Sequence, residues 1–288
     1  MLTVRNFMDA KQRRRVKSVD GVWYSGANTA YYYKELKKML AWMAAEFERT
    51  VVHGLDTKTM TEKITSIRDE SPNERYRKML AEFNRKLRRK YPKSVIEKLV
   101  RRALKRSSDY SQREFDRKMK KLGLDLTKGE NVIKKYGSYM STVVEENIML
   151  VKNLQDEQAK RLKSVVLRGL REGIAVSSLA GDLQKSMGIA RRRAVLIART
   201  ETHKLTQQLA DYRASEVGFT EGVWTAVMDN RTSSQHARFN GRKFNLKKGL
   251  YDPKTNSRNW PGRRPNCRCR TKYLIPGFDI QHGSRIQS

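Results

Sequence analysis

The chain has 288 residues, 62 Lys or Arg against 30 Asp or Glu, and a formal net charge of +32. That length suits one large or two ordinary domains, and an apolar share of 38% beside a charged share of 32% provides a core for only part of it. No run of about 18 apolar residues and no signal-peptide core occurs, which excludes a spanning helix and gives the cytoplasm, or an assembly built there, as the expected location.

An excess of cations this large attracts polyanions by releasing their condensed counterions. Nucleic acid is the first candidate. An anionic membrane surface is the second, and it asks for a basic amphipathic helix with bulky apolar anchors. Two cysteines exclude a disulfide framework. Cys267 and Cys269 are also too close in sequence for an unstrained mutual bridge.

In chain order, residues 1–27 read as a basic arm carrying Arg13, Arg14, Arg15 and Lys17. Asn28 is the expected cap of a first helix. Its apolar stripe runs through Leu36, Met39, Leu40, Met43, Ala44 and Phe47 up to Gly54. The Tyr31-Tyr32-Tyr33 cluster at its start is expected to pack rather than to stack on bases. Ser71-Pro72-Asn73-Glu74 combines a capping serine, a first-turn proline and a capping-box glutamate. That second helix should stop or restart at Tyr91-Pro92. Val95, Ile96, Leu99, Val100, Ala103 and Leu104 give the next helix its apolar face. Gly123 and Gly129 punctuate. A long helix is expected from about Glu130, with Val143, Val144, Ile148, Val151 and Leu154 recurring, until Gly173. A short helix with Leu179, Leu183 and Met187 should end at Gly188, and another should run from Ile189 to Val217.

After Gly218 the pattern changes. Residues 222–227 alternate and are β-rich, so they predict a strand. Asp229-Asn230 is a turn, residues 239–244 read as a hairpin corner, and residues 247–264 as a long loop. Residues 269–275 predict a final strand, and the tail from Gly277 is expected to fray. The fold class is therefore mainly α with a C-terminal α+β domain: long basic N-terminal helices, then a helix with a small antiparallel sheet. The predicted organisation is arm 1–27, basic helical region 28–158, α+β domain 159–276 and tail 277–288.

Charge is concentrated rather than spread. Residues 83–121 hold 16 Lys or Arg and 4 Asp or Glu; residues 231–273 hold 13 and 1; residues 122–170 are nearly balanced at 8 and 6. Any one block reads as a solvated helix face, but two together favour a polyanion partner. The candidate electrostatic DNA contacts in the first block are Arg85, Lys86, Arg88, Arg89, Lys90, Arg101, Arg102, Lys105 and Arg106. Those in the second are Arg242, Lys243, Lys247, Lys248, Arg263 and Arg264.

Three pieces in the last third carry more specific information. They are Ile197-Ala198-Arg199-Thr200-Glu201-Thr202, then Trp224 with Asp229-Asn230-Arg231-Thr232, then Pro265-Asn266-Cys267-Arg268-Cys269. With the upstream residues 167–173, Leu179, Leu183 and Gly241, this order resembles the C-terminal domain of the phage Mu F-like minor head proteins over about residues 159–276. The resemblance implies a tailed-phage minor capsid protein acting in head morphogenesis. Its implied partners are the portal protein, packaged double-stranded DNA, and the scaffold or major capsid protein. Its implied place is the virion interior near the portal, with no membrane contact in the assembled head.

The family motif residues are Arg199, Glu201, Trp224, Asp229, Arg231, His236, Cys267, Arg268 and Cys269. Many members carry Cys-x-x-Cys or Cys-x-x-His after the Asp-x-Arg-Thr, and His-Pro before the last cysteines, a set that looks like a zinc site. Here Ser233, His236 and Arg264 stand in those positions. His236, Cys267 and Cys269 remain as candidate ligands, with Asp229 or His203 as a conceivable fourth, against the four that a structural zinc takes. No cofactor is expected, and the cysteines are expected to be small buried residues.

Arg199 and Glu201 lie two apart on a helix and cannot share a face. Asp229 and Arg231 are their candidate partners in an ion network docking helix on sheet. Trp224 is expected in the core. The alternative reading is a DNA-processing enzyme, a nuclease or an ADP-ribosyltransferase-like effector using Glu201, Asp229 and His236. Against it, Asp252 is the sole acid in the second basic block, whereas a metal nuclease gathers carboxylates. His53, His203 and His282 fall in no nuclease spacing. No catalytic residue is assigned.

Overall fold

Helical periodicity before Gly218 and alternation after it are both realised in the computed structural model, which describes residues 17–54, 72–123, 132–172 and 176–276. The arm up to residue 16, Ser71, the breaks at Gly129 and Gly173, His282 and the tail lie outside the described residues. In chain order the elements are β1 (Ser18–Asp20), α1 (Gly26–Phe47) with a π-helical turn (Glu48–Val52), α2 (Pro72–Lys90), α3 (Lys93–Lys120), α4 (Val132–Glu172) and α5 (Val176–Glu216). Then come β2 (Glu221–Thr225), α6 (Ser234–Phe239), β3 (Lys243–Asn245), β4 (Leu250–Asp252), β5 (Ser257–Asn259) and β6 (Arg270–Leu274). The chain is mainly helical with a small antiparallel sheet at its C-terminal end.

Two compact units divide these elements. The first is Met1–Thr29, Ala103–Val143 and Arg199–Ser288; the second is Ala30–Arg102 and Val144–Ala198. Each draws on stretches far apart in sequence, and the sequence boundary at 158/159 falls inside α4.

In the first unit the sheet has the order β1-β6-β2-β3, antiparallel throughout. Gly222 of β2 stands opposite both Tyr273 of β6 and Phe244 of β3, and Val19 of β1 also stands opposite Tyr273. β4 and β5 form a separate hairpin inside the stretch read from sequence as loop. The sheet's inward residues, Trp224, Tyr273 and Phe244, bury against Phe115 and Met119 of α3 and Ala210 and Ala214 of α5. The two alanines, one helical turn apart, keep that face of α5 low. Trp224 is the centre of an aromatic group, with ring centroids 4.9 Å from Phe239 and 6.3 Å from Phe244.

In the second unit, Leu36, Met39, Leu40, Met43 and Phe47 of α1 are all fully buried, as their spacing predicts. Phe83 of α2 meets Phe47 edge to face with centroids 5.2 Å apart. Tyr32 is buried and its phenol donates to Asn147 Oδ1 of α4 at 3.1 Å. The buried Glu46 carboxylate is matched by Lys86 Nζ at 3.1 Å and by the Thr50 hydroxyl at 2.8 Å.

Three local expectations differ from the structure. Ser25, not Asn28, caps α1: the Asn28 amide N–H donates to Ser25 Oγ at 3.2 Å, while the Asn28 side chain donates to Arg106 O at 3.0 Å. Residues 18–20 of the presumed arm form an edge strand. Gly188 does not end a helix; α5 runs through it for 41 residues. A glycine there costs a helix about 1 kcal/mol, and burial of Met187, Ala190 and Ala194 around it overrides that preference.

Candidate functional site

The family residues converge in the first unit, where the C-terminal half of α5 lies along β6. Polar side chains one helical turn apart make the junction. His203 Nε2 lies 3.1 Å from the Cys269 carbonyl oxygen. Gln207 accepts from the Thr271 N–H at 3.3 Å and donates to the Val22 carbonyl. Asp211 Oδ1 accepts from the Tyr273 phenol at 2.9 Å. Four residues of helix rise about 6 Å and two residues of strand about 6.7 Å. The rows 203, 207, 211 and 269, 271, 273 therefore stay in step over three contacts. All three α5 side chains are buried, so each bond forms where an unmet polar group is costly.

Burial raises Asp211 from an ordinary carboxylate value of 3.8 to about 6, opposed by the hydrogen bond from Tyr273 and by the Arg263 charge. Burial likewise lowers His203, favouring its neutral form.

Around this ladder the remaining motif residues fix loops. Asp229 closes its own turn: its carboxylate accepts from Arg231 N at 3.1 Å and Thr232 Oγ1 at 3.2 Å. The Arg268 guanidinium grips the same carboxylate, with Nη1 at 2.7 Å from Oδ2, and holds it far below the usual carboxylate range. Arg199 donates to the Asn266 side-chain oxygen, and Asn266 N donates to Thr200 Oγ1 at 3.3 Å. Asn266 has a left-handed backbone, φ 58°, at the head of the Cys-Arg-Cys stretch. The partners therefore differ from those expected: Asp229 belongs to Arg268, and Arg199 binds an amide. Glu201 is buried with Lys204 Nζ 3.9 Å from its carboxylate, and Arg231 is exposed.

His236, Cys267 and Cys269 do come together. Their ligand atoms lie within 4.8 Å of one another, and among the described residues no other group of three or more His, Cys, Asp or Glu does so. Cys269 Sγ is 3.6 Å from His236 Nδ1; Cys267 Sγ accepts from Gly262 N at 3.3 Å and Cys269 N at 3.4 Å. The hydrogen bond from the Cys269 thiol pushes Cys267 well down, with His236 adding to it against the effect of burial, and the same bond pushes Cys269 up.

This set does not complete a closed structural zinc site. The Ser233 hydroxyl instead caps α6 by accepting His236 N at 3.4 Å, and Arg264 donates to Gln235 Oε1 at 2.7 Å. Asp229 is taken by Arg268, and His203 lies outside the cluster. Among the described residues three donors remain, one short of four. Both sulfurs are buried, which disfavours a site whose fourth position opens to water.

The basic candidates divide by environment. In the second unit, Arg85, Arg88, Arg89, Lys90 and Arg102 are exposed, and so is Arg101, which pairs with Glu97 at 2.7 Å. Lys86 is half-buried against Glu46 and Glu82. In the first unit, Arg106, Arg242, Lys247 and Lys248 are exposed; Lys105 pairs with Asp109 and Lys243 with Glu221, each at 2.8 Å. Arg263 lies over the Trp260 ring, 4.2 Å from its centroid. Among the described residues no helix is long and apolar enough to cross a membrane.

Sequence reasoning missed the ladder. Its signal was present as the polar row His203, Gln207, Asp211 at a spacing of four.

The site is thus a helix tied to a strand by paired side chains, with a turn and a cysteine stretch clipped to its sides. Residues 160–272, which hold most of it, match the family described as Phage Mu protein F like protein. The chain is 24% identical over 277 residues to an uncharacterized protein of Haemophilus influenzae, covering 93% of this chain and 57% of that protein. It is 26% identical over 143 residues to Minor head protein GP7 of Bacillus phage SPP1, covering 45% of this chain and 46% of that protein. The chain thus spans about half the length of the curated relatives it matches. No solved structure matches it.

Proposed function

We propose that this chain is a minor head protein of a tailed phage, acting in head morphogenesis in contact with the portal protein and packaged DNA. The observation that carries the reading is the Mu F-like segment, shared in part with a phage minor head protein. In this reading the α5–β6 module docks on other head proteins, scaffold or major capsid protein among them. The exposed arginines and lysines neutralise DNA phosphates without reading sequence. The motif's charged groups support a structural role over catalysis, because Asp229 is committed to Arg268 and to its own turn. The protein would reside inside the virion near the portal after assembly in the host cytoplasm.

Three measurements test this. Mass-spectrometric inventory of purified virions should find the chain at low copy number, and it should co-sediment with portal protein. The purified protein should bind duplexes of unrelated sequence with similar affinity, weakening with salt at a slope of about 0.9 per phosphate neutralised. Absence from virions overturns the head assignment. A hundredfold sequence preference, or binding indifferent to salt, overturns the electrostatic mechanism.

A further inference from the structure

The second unit carries a cleft that the family motif does not include. It has a volume of about 700 Å³ and lies between the α2–α3 corner and the middle of α4. Its apolar floor comes from Leu80, Leu87, Tyr91, Pro92 and Ala159. Its rim is cationic: Arg88 and Lys93 on the corner side, Lys152, Lys160 and Lys163 on α4. Asp156 is the one acid lining it. Among the described residues Arg88 and these four lysines make no ion pair, so their charge is directed to solvent or a ligand. This contrasts with Lys86 nearby, which is held by two glutamates.

Three further features narrow the ligand. Lys152, Asp156 and Lys160 follow at intervals of four, each step rising about 6 Å, and the row from Lys152 to Lys163 extends about 16 Å along α4. That is a track for a chain of anionic groups rather than a pocket for one ion. Gln155 is 6% exposed, lines the cleft, and makes no hydrogen bond to a described protein group. Its amide offers a ligand in the cleft both a donor and an acceptor. The half-buried Tyr91 ring is fixed edge to face on Trp42, with centroids 5.4 Å apart. A cationic track beside an apolar, aromatic floor with one free amide is the chemistry of a nucleic-acid strand, phosphates on the lysines and base on the floor. A duplex, with its bases stacked inside, would use only the rim. An acidic peptide would use the rim and would leave the amide and ring without specific partners.

We propose that this cleft binds an unpaired nucleic-acid strand, with Lys152, Lys160 and Lys163 on its phosphates and a base seated against Tyr91 and Gln155. The inference rests on the DNA-binding part of the reading above and assigns it a place. The test uses the full chain and a fluorescein-labelled thymidine dodecamer, with a blunt duplex of equal length as comparison. The Lys152→Glu/Lys160→Glu variant should lose at least tenfold in dodecamer affinity. Milder Lys152→Gln/Lys160→Gln should lower the salt slope by about 1.4, two single-strand phosphates' worth. Lys247→Glu/Lys248→Glu, exposed positions of the other unit, should weaken duplex and dodecamer to the same extent. The dodecamer should lose more than the duplex in the cleft variant, and a bromodeoxyuridine dodecamer should photo-crosslink to the peptide containing Tyr91. These exposed changes should leave the melting temperature unaltered.

If the native protein binds no DNA at all, the DNA-binding reading fails and the cleft assignment with it. If it binds DNA and the cleft variants bind as well as the native chain, the cleft assignment alone is overturned. Equal loss for duplex and dodecamer overturns the seating of a base. Displacement of the dodecamer by polyglutamate at equal charge, without a Tyr91 crosslink, assigns the cleft to an acidic protein surface instead.

Discussion

Asp211 on α5 accepts a hydrogen bond from the Tyr273 phenol on β6 at 2.9 Å, and both residues are buried. The contact closes a ladder begun by His203 and Gln207, and it places an ionisable group where water cannot solvate it. Burial raises Asp211 from 3.8 to about 6. An acid whose folded value lies above its unfolded value binds more protons in the native state. It therefore imposes no ionisation penalty below about pH 3.8. The penalty grows as pH rises through the window between the two values, and it is constant above about pH 6. Two pKa units correspond to about 3 kcal/mol. Asp211→Asn keeps an acceptor for Tyr273 and removes the ionisation. The stability difference between variant and native chain should grow by about 3 kcal/mol in the variant's favour from pH 3.5 to pH 7.5, read by urea denaturation. Taking the difference cancels other titrations, including that of Asp229, whose lowered value gives the opposite trend. A difference that is flat with pH sinks the account.

Gln207 joins two backbone groups from distant parts of the chain, the Val22 carbonyl and the Thr271 N–H. Gln207→Leu preserves approximate volume and leaves both buried groups without their partner. At about 1–3 kcal/mol for each unmet group, the expected loss is about 2–6 kcal/mol. The urea midpoint should fall with little change in the slope of the transition. A loss under 1 kcal/mol would show that the bridge contributes nothing beyond contact.

Gly262 is needed for two reasons at the same place. Its φ is +77°, and a Cβ there would lie 2.5 Å from Gln207 Cγ and 3.1 Å from His203 Nε2. Gln207 cannot swing away without breaking both of its bonds. A left-handed backbone costs a non-glycine residue about 1–2 kcal/mol, and crowding a packed site adds about 1–3 kcal/mol. Gly262→Ala should thus destabilise by about 2–5 kcal/mol in the same assay, and combining it with Gln207→Leu should cost less than the two separately. Full additivity would argue that the two side chains do not share the site.

What was legible in the sequence follows from how far each signal reaches. The α1 stripe from Leu36 to Phe47 and the alternation of Gly222-Val223-Trp224-Thr225 are local patterns, and both appear as read. The partners of Arg199 and Asp229 are not local: Asn266 and Arg268 reach them across 67 and 39 residues. The row His203, Gln207, Asp211 looks like the wet face of a helix until a strand is laid on it. Residues 18–20 look like arm because a three-residue edge strand has no period of its own, and β6 supplies its register. Gly188 looks like a stop because propensity is local while the burial around it is not. The cationic cleft joins residues from 80 to 163, a juxtaposition no window along the chain contains.

The cluster of His236, Cys267 and Cys269 sets hydrogen bonding against metal. Cys267 Sγ already accepts from Gly262 N and Cys269 N, and Ser233 and Arg264 occupy the two places where the family resemblance puts further ligands. With three donors the site lacks the closure that a structural zinc requires. The purified protein should therefore hold no stoichiometric zinc by elemental analysis, and EDTA should leave its melting temperature unchanged. A chain dependent on structural zinc would instead lose much of its folding free energy on chelation. Replacing both cysteines by serine should cost about 1–3 kcal/mol in total, the scale of weakening two small buried groups. His236→Ala removes a partly buried ring whose centroid is 5.6 Å from that of Trp224, so a modest loss of packing is expected and no collapse. One zinc per chain together with unfolding in EDTA would overturn the hydrogen-bonding account. It would also mean that the fourth position is filled by a group now engaged elsewhere, and His203→Ala and Asp229→Ala, each followed by zinc titration, would identify which.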